Sequence, residues 1–185
     1  MIRILANEPP VYVGVVQEQE EIAKSKASGE LLTWGDLAKM KYTWSVAMET
    51  LRMHPPVLVT FRRAIQDIEL EGYDIPKGWQ IMTFATMTQM DAKNFPDPTK
   101  FDPRRLEKTS PPPYTLVPFG AGPRMCPGYE FARIATLVAI HYLVTHFTWK
   151  LCSTDLSFTR EPMPNFHKGL EIQIDPKKVP PPEVH

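Results

Sequence analysis

The chain has 185 residues, of which 43% are hydrophobic, so it is long enough and apolar enough to bury a substantial core. Its 21 Lys and Arg residues balance its 21 Asp and Glu residues, and a formal net charge of zero without a basic run argues against a nucleic-acid-binding protein. Two cysteines, Cys126 and Cys152, are too few for a disulfide scaffold, and neither a signal peptide nor a membrane anchor is evident.

The first third of the chain is predicted to be helical. Residues 1–6 resemble the last turn of one helix, and the prolines at 9 and 10 suit the first turn of a second. Thr33 and Asp36 resemble a capping box, which predicts a further helical region, in one or two pieces. This region ends near Met53, because the following His-Pro-Pro sequence disfavours the α conformation.

From residue 57 onward the pattern changes to alternating apolar residues, among them Val57, Val59 and Phe61, which predict a small antiparallel sheet over 57–84. A short helix is predicted over 86–94, and the proline-rich stretch 94–115 is expected to be mostly irregular. A long helix follows at about 129–146, and residues 148–174 are expected to form short strands and turns.

The candidate chemistry lies in the glycine-rich segment 119–128 around Cys126. Glycines permit positive φ and let the backbone approach a flat ligand closely. Cys126 comes just before the long helix, where free N–H groups favour a thiolate and can hydrogen-bond to a metal-bound sulfur. Arg124 adds a fixed positive charge two residues away. The simpler alternative is a structural cysteine in a glycine-rich turn.

This segment resembles the signature F-x-x-G-x-R-x-C-x-G of the cytochrome P450 family, which it matches at Phe119, Gly122, Arg124, Cys126 and Gly128. Position 121 is alanine where many members have a third glycine. The resemblance implies that Cys126 is the axial ligand of a haem iron. It also implies that Phe119 shields the thiolate from water and that Gly128 belongs to the cofactor-binding surface.

Two upstream motifs extend the resemblance. Residues 49–52 (ETLR) match E-x-x-R, and residues 101–106 (FDPRRL) are similar to F-x-P-E-R-F, with arginine and leucine replacing the glutamate and the final phenylalanine. The resemblance implies that Glu49, Arg52 and Arg105 form a buried ionic cluster that locks the loop carrying the cysteine, a structural and not a catalytic role. An isolated E-x-x-R would ordinarily be a solvated surface pair.

Two further arginines follow from the resemblance. Arg62 occupies the position that pairs with a haem propionate, and Arg124 is a second candidate for this role, since a guanidinium fork suits a carboxylate. A surface charge at a strand end is the alternative for Arg62, and the adjacent Arg63 leaves the choice of residue open. Residues 57–61 are expected either to line a substrate pocket or to form a core strand, and Cys152 is interpreted as structural.

The implied fold is mainly α with small antiparallel β-sheets: residues 1–175 as the C-terminal portion of a cytochrome P450 domain and 176–185 as a proline-rich tail. The implied reaction inserts one oxygen atom from O₂ into a small apolar substrate, with haem (iron protoporphyrin IX) as cofactor and electrons from an NADPH-dependent cytochrome P450 reductase. Residues 75–79 and 126–133 are most similar to plant members that oxidise steroids and triterpenoids. Such members lie on the cytosolic face of the endoplasmic reticulum membrane.

The resemblance covers residues 1–174 but less than half of a full-length member, and the oxygen-activating central helix is among the parts not matched. We therefore expect the N-terminal half of the same protein as a partner, and no substrate turnover by this chain alone. The free chain is expected to self-associate. The alternatives are a truncated, non-catalytic haem-binding or inert fragment and, more remotely, a thiol or zinc protein, against which the lack of paired cysteines counts.

Overall fold

The structure is a computed structural model that describes residues 1–27, 29–108, 111–153, 158–160, 164–166 and 169–177. Within these ranges the fold is mainly helical with small antiparallel sheets, which confirms the predicted class. The helices are α1 (Ile2–Asn7), α2 (Pro9–Lys24), α3 (Trp34–Lys39), α4 (Lys41–Met53), α5 (Ala85–Gln89), α6 (Arg105–Lys108), the 3₁₀ turn η1 (Gly122–Arg124) and α7 (Tyr129–His146).

The core lies between α2, α4 and α7. Pro9 and Pro10 open α2, where a missing amide N–H leaves no hydrogen bond unmade. The apolar positions of these helices recur every three to four residues, so each helix turns one stripe inward. One buried cluster comprises Leu5, Val11, Val15, Val46, Ile140 and Val144, and a second comprises Ile22, Leu37, Met40 and Leu137.

The predicted capping box starts α3. The Asp36 N–H donates to Thr33 Oγ1 at 3.3 Å, and the Thr33 N–H donates to Asp36 Oδ2 at 2.9 Å. Lys26, near the end of α2, donates to the same Oδ2 at 2.7 Å. These hydrogen bonds, first that from Lys26 and then those from Thr33, hold the pKa of Asp36 below its usual value. The helical region is in two pieces, with Met40 between α3 and α4.

The strands form four two-stranded antiparallel sheets among the described residues. The prediction of one sheet over 57–84 is wrong in that this stretch forms two, because the β2–β3 hairpin closes on itself while β1 and β4 pair on either side of it. The paired strands are β1 (Val59–Arg63) with β4 (Gln80–Phe84), β2 (Ile68–Leu70) with β3 (Tyr73–Ile75), β5 (Phe147–Leu151) with β8 (Ile172–Pro176), and β6 (Phe158–Arg160) with β7 (Pro164–Phe166).

Some boundaries of the later elements agree with the predictions and others differ. The long helix α7 has the predicted bounds, whereas the helix predicted over 86–94 is the shorter α5. Strand β8 runs to Pro176, and the Lys177 N–H donates to the His146 carbonyl at 2.7 Å, so these two residues belong to the fold and not to the predicted tail. Residues 178–185 of that tail lie outside the described residues. No helix in the described ranges is both long and apolar enough to cross a membrane.

Candidate functional site

The thiol of Cys126 is free and exposed at the N-terminal end of α7. Its backbone N–H donates to the Phe119 carbonyl at 2.8 Å, which closes the preceding residues into a tight loop. Gly120 and Gly122 adopt φ values of 75° and 67° in this loop, a conformation that disfavours other residues. The glycine-rich sequence therefore forms a compact turn that presents the thiol at the surface.

Gly128, the N-cap of α7, leaves room beside the thiol. A Cβ added at Gly128 would lie 3.7 Å from Cys126 Sγ, in van der Waals contact, so the glycine keeps that side of the sulfur open. The helix begins directly after this glycine, since the Ala132 N–H donates to the Gly128 carbonyl at 2.9 Å. An α-helix N-terminus carries partial positive charge, which complements a negatively charged ligand.

Aromatic packing fixes the other end of the cysteine loop. The half-buried Phe119 ring meets Tyr129 edge to face, with ring centroids 5.0 Å apart. Tyr129 in turn meets Trp44 of α4 at 6.0 Å. Phe119 is thus anchored on α7 while its carbonyl holds the cysteine amide. That the Phe119 ring shields a ligated thiolate from water stays a prediction.

The structure brings Glu49, Arg52 and Arg105 together. Glu49 and Arg52 are fully buried, and Arg52 binds the carboxylate with both Nε and Nη2, at 2.8 and 2.9 Å. Arg105 Nε donates to Glu49 Oε1 at 3.1 Å, and the Asp102 N–H donates to the same oxygen at 3.1 Å. The carboxylate therefore accepts four charge-assisted hydrogen bonds, three of them from guanidinium groups.

The other faces of both guanidinium groups bind backbone carbonyls. Arg52 Nη1 donates to the Gln89 carbonyl at 2.7 Å, and Arg52 Nη2 donates to the Pro98 carbonyl at 2.8 Å. Arg105 Nη1 donates to the Pro96 carbonyl at 2.7 Å, and its Nη2 reaches two more carbonyls of the same loop. These contacts hold the stretch around 96–100, so the cluster acts directly on this loop and only indirectly on the cysteine loop.

The two arginines predicted to pair with carboxylates are both exposed. Arg62 lies in β1, where its Nη1 donates to the Phe61 carbonyl at 2.8 Å, and its neighbour Arg63 is exposed as well. Arg124 ends the 3₁₀ turn beside the cysteine. Val57 and Phe61 are 46% and 53% exposed, so the alternative that they form a core strand is wrong. Their side chains are free to line a pocket.

Buried polar residues between the helices were missed at the level of sequence. His141 of α7 is buried, and its Nδ1 lies 2.8 Å from Gln19 Oε1. Gln19 Nε2 donates to Thr43 Oγ1 at 2.7 Å, which links α2, α4 and α7. Burial, and next the nearby His146, lower the pKa of His141. A signal was present, because Gln19 follows Val15 by four residues on the apolar face of α2.

Comparison with known proteins identifies the class. The cytochrome P450 family model matches residues 1–177, so the chain belongs to the cytochrome P450 family. It is 48% identical to the beta-amyrin 28-monooxygenase of Kalopanax septemlobus and 49% identical to that of Medicago truncatula, in each case over 97% of this chain and 37% of the relative. It is 47% identical to the beta-amyrin 16-beta-monooxygenase of Platycodon grandiflorus, over 95% of this chain and 36% of the relative.

A solved structure shows the same fold. A cyanobacterial cytochrome P450 with retinoic acid bound superimposes with a TM-score of 0.84 at 36% identity, over 94% of this chain and 40% of that chain. The present chain thus spans little more than a third of the length of the curated relatives it matches, at 37%.

The residues present fit the haem that the family implies. An exposed thiol stands at a positive helix terminus with a glycine beside it, which is the donor chemistry of a thiolate ligand to haem iron. The exposed guanidinium groups of Arg62 and Arg124 have the charge and the hydrogen-bond donors to pair with the carboxylates of the porphyrin. Within the described ranges, no group of three or more His, Cys, Asp and Glu side chains is arranged to hold a metal ion by itself.

Proposed function

We propose that this chain supplies the thiolate side of a haem–thiolate monooxygenase, with Cys126 as the axial ligand of the haem iron. The exposed thiol of Cys126 carries this proposal: the backbone N–H of the same residue donates to the Phe119 carbonyl, and Gly128 flanks the sulfur at the start of α7. When bound, a thiolate-ligated haem activates O₂ and allows insertion of one oxygen atom into an apolar substrate.

The other site residues hold the cofactor and the loop. Arg62 and Arg124 each bind one propionate, and Phe119 packs close to the sulfur and keeps water from it. Gly128 leaves the space that a flat macrocycle needs beside the sulfur.

The substrate class we propose is the triterpenoids. The relatives named above are beta-amyrin monooxygenases, and they differ in the position oxidised, 28 or 16-beta. Likeness to them therefore supports a substrate class and not a site of oxidation. Electrons come from an NADPH-dependent cytochrome P450 reductase, and the whole protein acts at the cytosolic face of the endoplasmic reticulum membrane.

A chimera tests this function. The matching part of the Medicago truncatula beta-amyrin 28-monooxygenase is replaced by this chain, and beta-amyrin oxidation is measured with reductase and NADPH. We expect oxidised beta-amyrin from the chimera and from its Cys152→Ser variant, and none from Cys126→Ser. Product from Cys126→Ser would overturn the ligand assignment. A chimera that binds haem but oxidises no triterpenoid would overturn the substrate class.

A second candidate, for the chain taken alone, is a non-catalytic haem-binding module. This candidate is favoured because the chain covers only 37% of the length of the relatives. Its test is the isolated chain with haem, reductase, NADPH and beta-amyrin. We expect haem binding without oxidation, since the chain holds one side of the site. Substrate-dependent oxidation by the isolated chain would contradict this expectation.

A further inference from the structure

Gln89 occupies a position between the ionic cluster and the cysteine loop. It ends the short helix α5 and is fully buried. Its Nε2 donates to the Arg52 carbonyl at 3.0 Å, and its Oε1 accepts the Val117 N–H at 3.2 Å. One amide group therefore joins the C-terminal end of α4 to the segment that leads into the cysteine loop.

The backbone of Gln89 is held as well. Its carbonyl accepts Arg52 Nη1 at 2.7 Å, so Gln89 and Arg52 are bonded in both directions. Arg52 is in turn fixed by the buried carboxylate of Glu49. The position of the Gln89 side chain is thus set by the Glu49–Arg52–Arg105 cluster, through contacts of 3.0 Å or less.

Beyond Val117, two backbone hydrogen bonds lead to the thiol. The Gly120 N–H donates to the Val117 carbonyl at 2.9 Å, and the Cys126 N–H donates to the Phe119 carbonyl at 2.8 Å. A change in the position of Val117 is therefore passed on, through two tight turns, to the residue that carries the sulfur.

Glutamine suits this position because its two hydrogen-bond partners need different groups, one an acceptor and the other a donor. The Val117 N–H needs an acceptor in a partly buried position, and the Arg52 carbonyl at the helix end needs a donor. A side-chain amide supplies both, a carboxylate supplies only the acceptor, and a thioether supplies neither a donor nor a strong acceptor.

We propose that Gln89 is a positioning residue for Cys126, which transmits the order of the Glu49–Arg52–Arg105 cluster to the cysteine loop. The inference rests on the proposed function. The position of the thiol matters because Cys126 ligates the haem iron in that proposal. The sequence motifs name the cluster and the cysteine, and Gln89 provides the side-chain hydrogen bond from the cluster's Arg52 toward that loop.

Gln19 is a matched control for a merely structural role. It too is a fully buried glutamine whose amide bonds to two other elements, through Thr43 of α4 and His141 of α7. Replacing either glutamine by methionine keeps the volume and removes the side-chain hydrogen bonds to the two other elements. Both variants should lose similar global stability, and only Gln89→Met should loosen the cysteine loop.

Hydrogen exchange, measured on the chain without haem, reports the loosening of the cysteine loop at each backbone amide. We expect exchange at Val117, Gly120 and Cys126 to be roughly tenfold faster in Gln89→Met than in Gln19→Met, the factor that loss of one intramolecular hydrogen bond gives. Equal exchange at these three amides in the two variants would overturn the proposal.

Gln89→Glu keeps the test decisive if Gln89→Met does not fold. The carboxylate still accepts the Val117 N–H and no longer donates to the Arg52 carbonyl. We expect Val117 to keep its acceptor, whereas Gly120 and Cys126 should exchange faster than in the unaltered chain because the side-chain bond to the Arg52 carbonyl is lost; exchange at Gly120 and Cys126 as slow as in the unaltered chain would overturn the proposal. Failure of the proposed function is a separate result, namely no thiolate-type spectrum from the unaltered chain with haem.

Discussion

Glu49 is a single buried carboxylate that holds two arginines. We predict that Glu49→Gln lowers the free energy of unfolding by about 3–5 kcal/mol, because Arg52 is left as a buried, uncompensated charge. Urea unfolding followed by circular dichroism measures the loss.

The matched control is Glu130→Gln. Glu130 and Arg133 form the same i,i+3 pair at 2.9 Å, but the Glu130 side chain is 61% exposed. Removing an exposed pair of this kind should change stability by no more than about 0.5 kcal/mol. Equal losses in Glu49→Gln and Glu130→Gln would show that burial of the cluster contributes nothing.

His141 should make stability depend on pH. Burial, then His146 and Lys26, lower its pKa below the usual 6.5, while Asp36 opposes them, and Gln19 bonds its ring. The unfolded chain therefore takes up a proton first, and the free energy of unfolding should fall as the pH drops below 6.5. Chemical unfolding at several pH values checks this slope.

The control for that slope is a pair of variants. His141→Gln removes the titrating group and should flatten the fall below 6.5, whereas His146→Gln, at an exposed position, should leave most of it. A slope that is unchanged in His141→Gln would assign the pH dependence to other groups.

At the scale of elements, the start of α4 depends on a side chain from α2. Met40, the N-cap of α4, makes no side-chain cap. Glu18 supplies it instead: Oε1 accepts the Tyr42 N–H at 2.7 Å and Oε2 accepts the Thr43 N–H at 2.9 Å. A carboxylate here satisfies free helical donors and complements the helix dipole.

We predict that Glu18→Ala destabilises the chain by about 1–2 kcal/mol, the range for loss of a helix cap. Hydrogen exchange should quicken at Tyr42 and Thr43 and not at the α7 amides. Glu21→Ala, an exposed position on the same helix, is the control. Slow exchange at both amides in Glu18→Ala would mean that α4 begins without help from α2.

How far the elements follow from sequence depends on how local their determinants are. The bounds of α7 and the capping box of α3 follow from neighbouring residues, and both were predicted. The Glu18 cap, the Gln19–His141 bond and the Gln89 bridge join residues 24, 122 and 28 positions apart in the chain. Such pairs depend on how helices pack, which local patterns do not encode.

The site shows the same division. Three motifs name Cys126, Glu49, Arg52 and Arg105, and the structure brings the last three together. The motifs suggest that the cluster locks the cysteine loop, while the guanidinium groups bind carbonyls around 96–100. The connection to the thiol requires Gln89, which no motif contains.

At the scale of the whole molecule, β1 and β4 present apolar side chains to solvent. Phe61 and Met82 are cross-strand partners, each 53% exposed, and Phe84 beside them is 43% exposed. An apolar surface of this kind promotes association. We predict that the chain self-associates as its concentration rises, and that Phe61→Ser with Met82→Ser weakens this association.

Sedimentation velocity over a concentration series measures the effect. Phe131→Ser, at a 77% exposed position on α7, is the control and should leave association through the sheet unchanged. A monodisperse monomer at all concentrations would contradict the prediction.

The most direct test of the central claim is the absorption spectrum of the reduced, carbon-monoxide-bound chain with added haem. The unaltered chain and Cys152→Ser should show the strongly red-shifted Soret band of a thiolate-ligated haem, because Cys152 is a free, exposed cysteine outside the site. Cys126→Ser should bind haem without this band. The same band in Cys126→Ser, or its absence from the unaltered chain, would contradict the account.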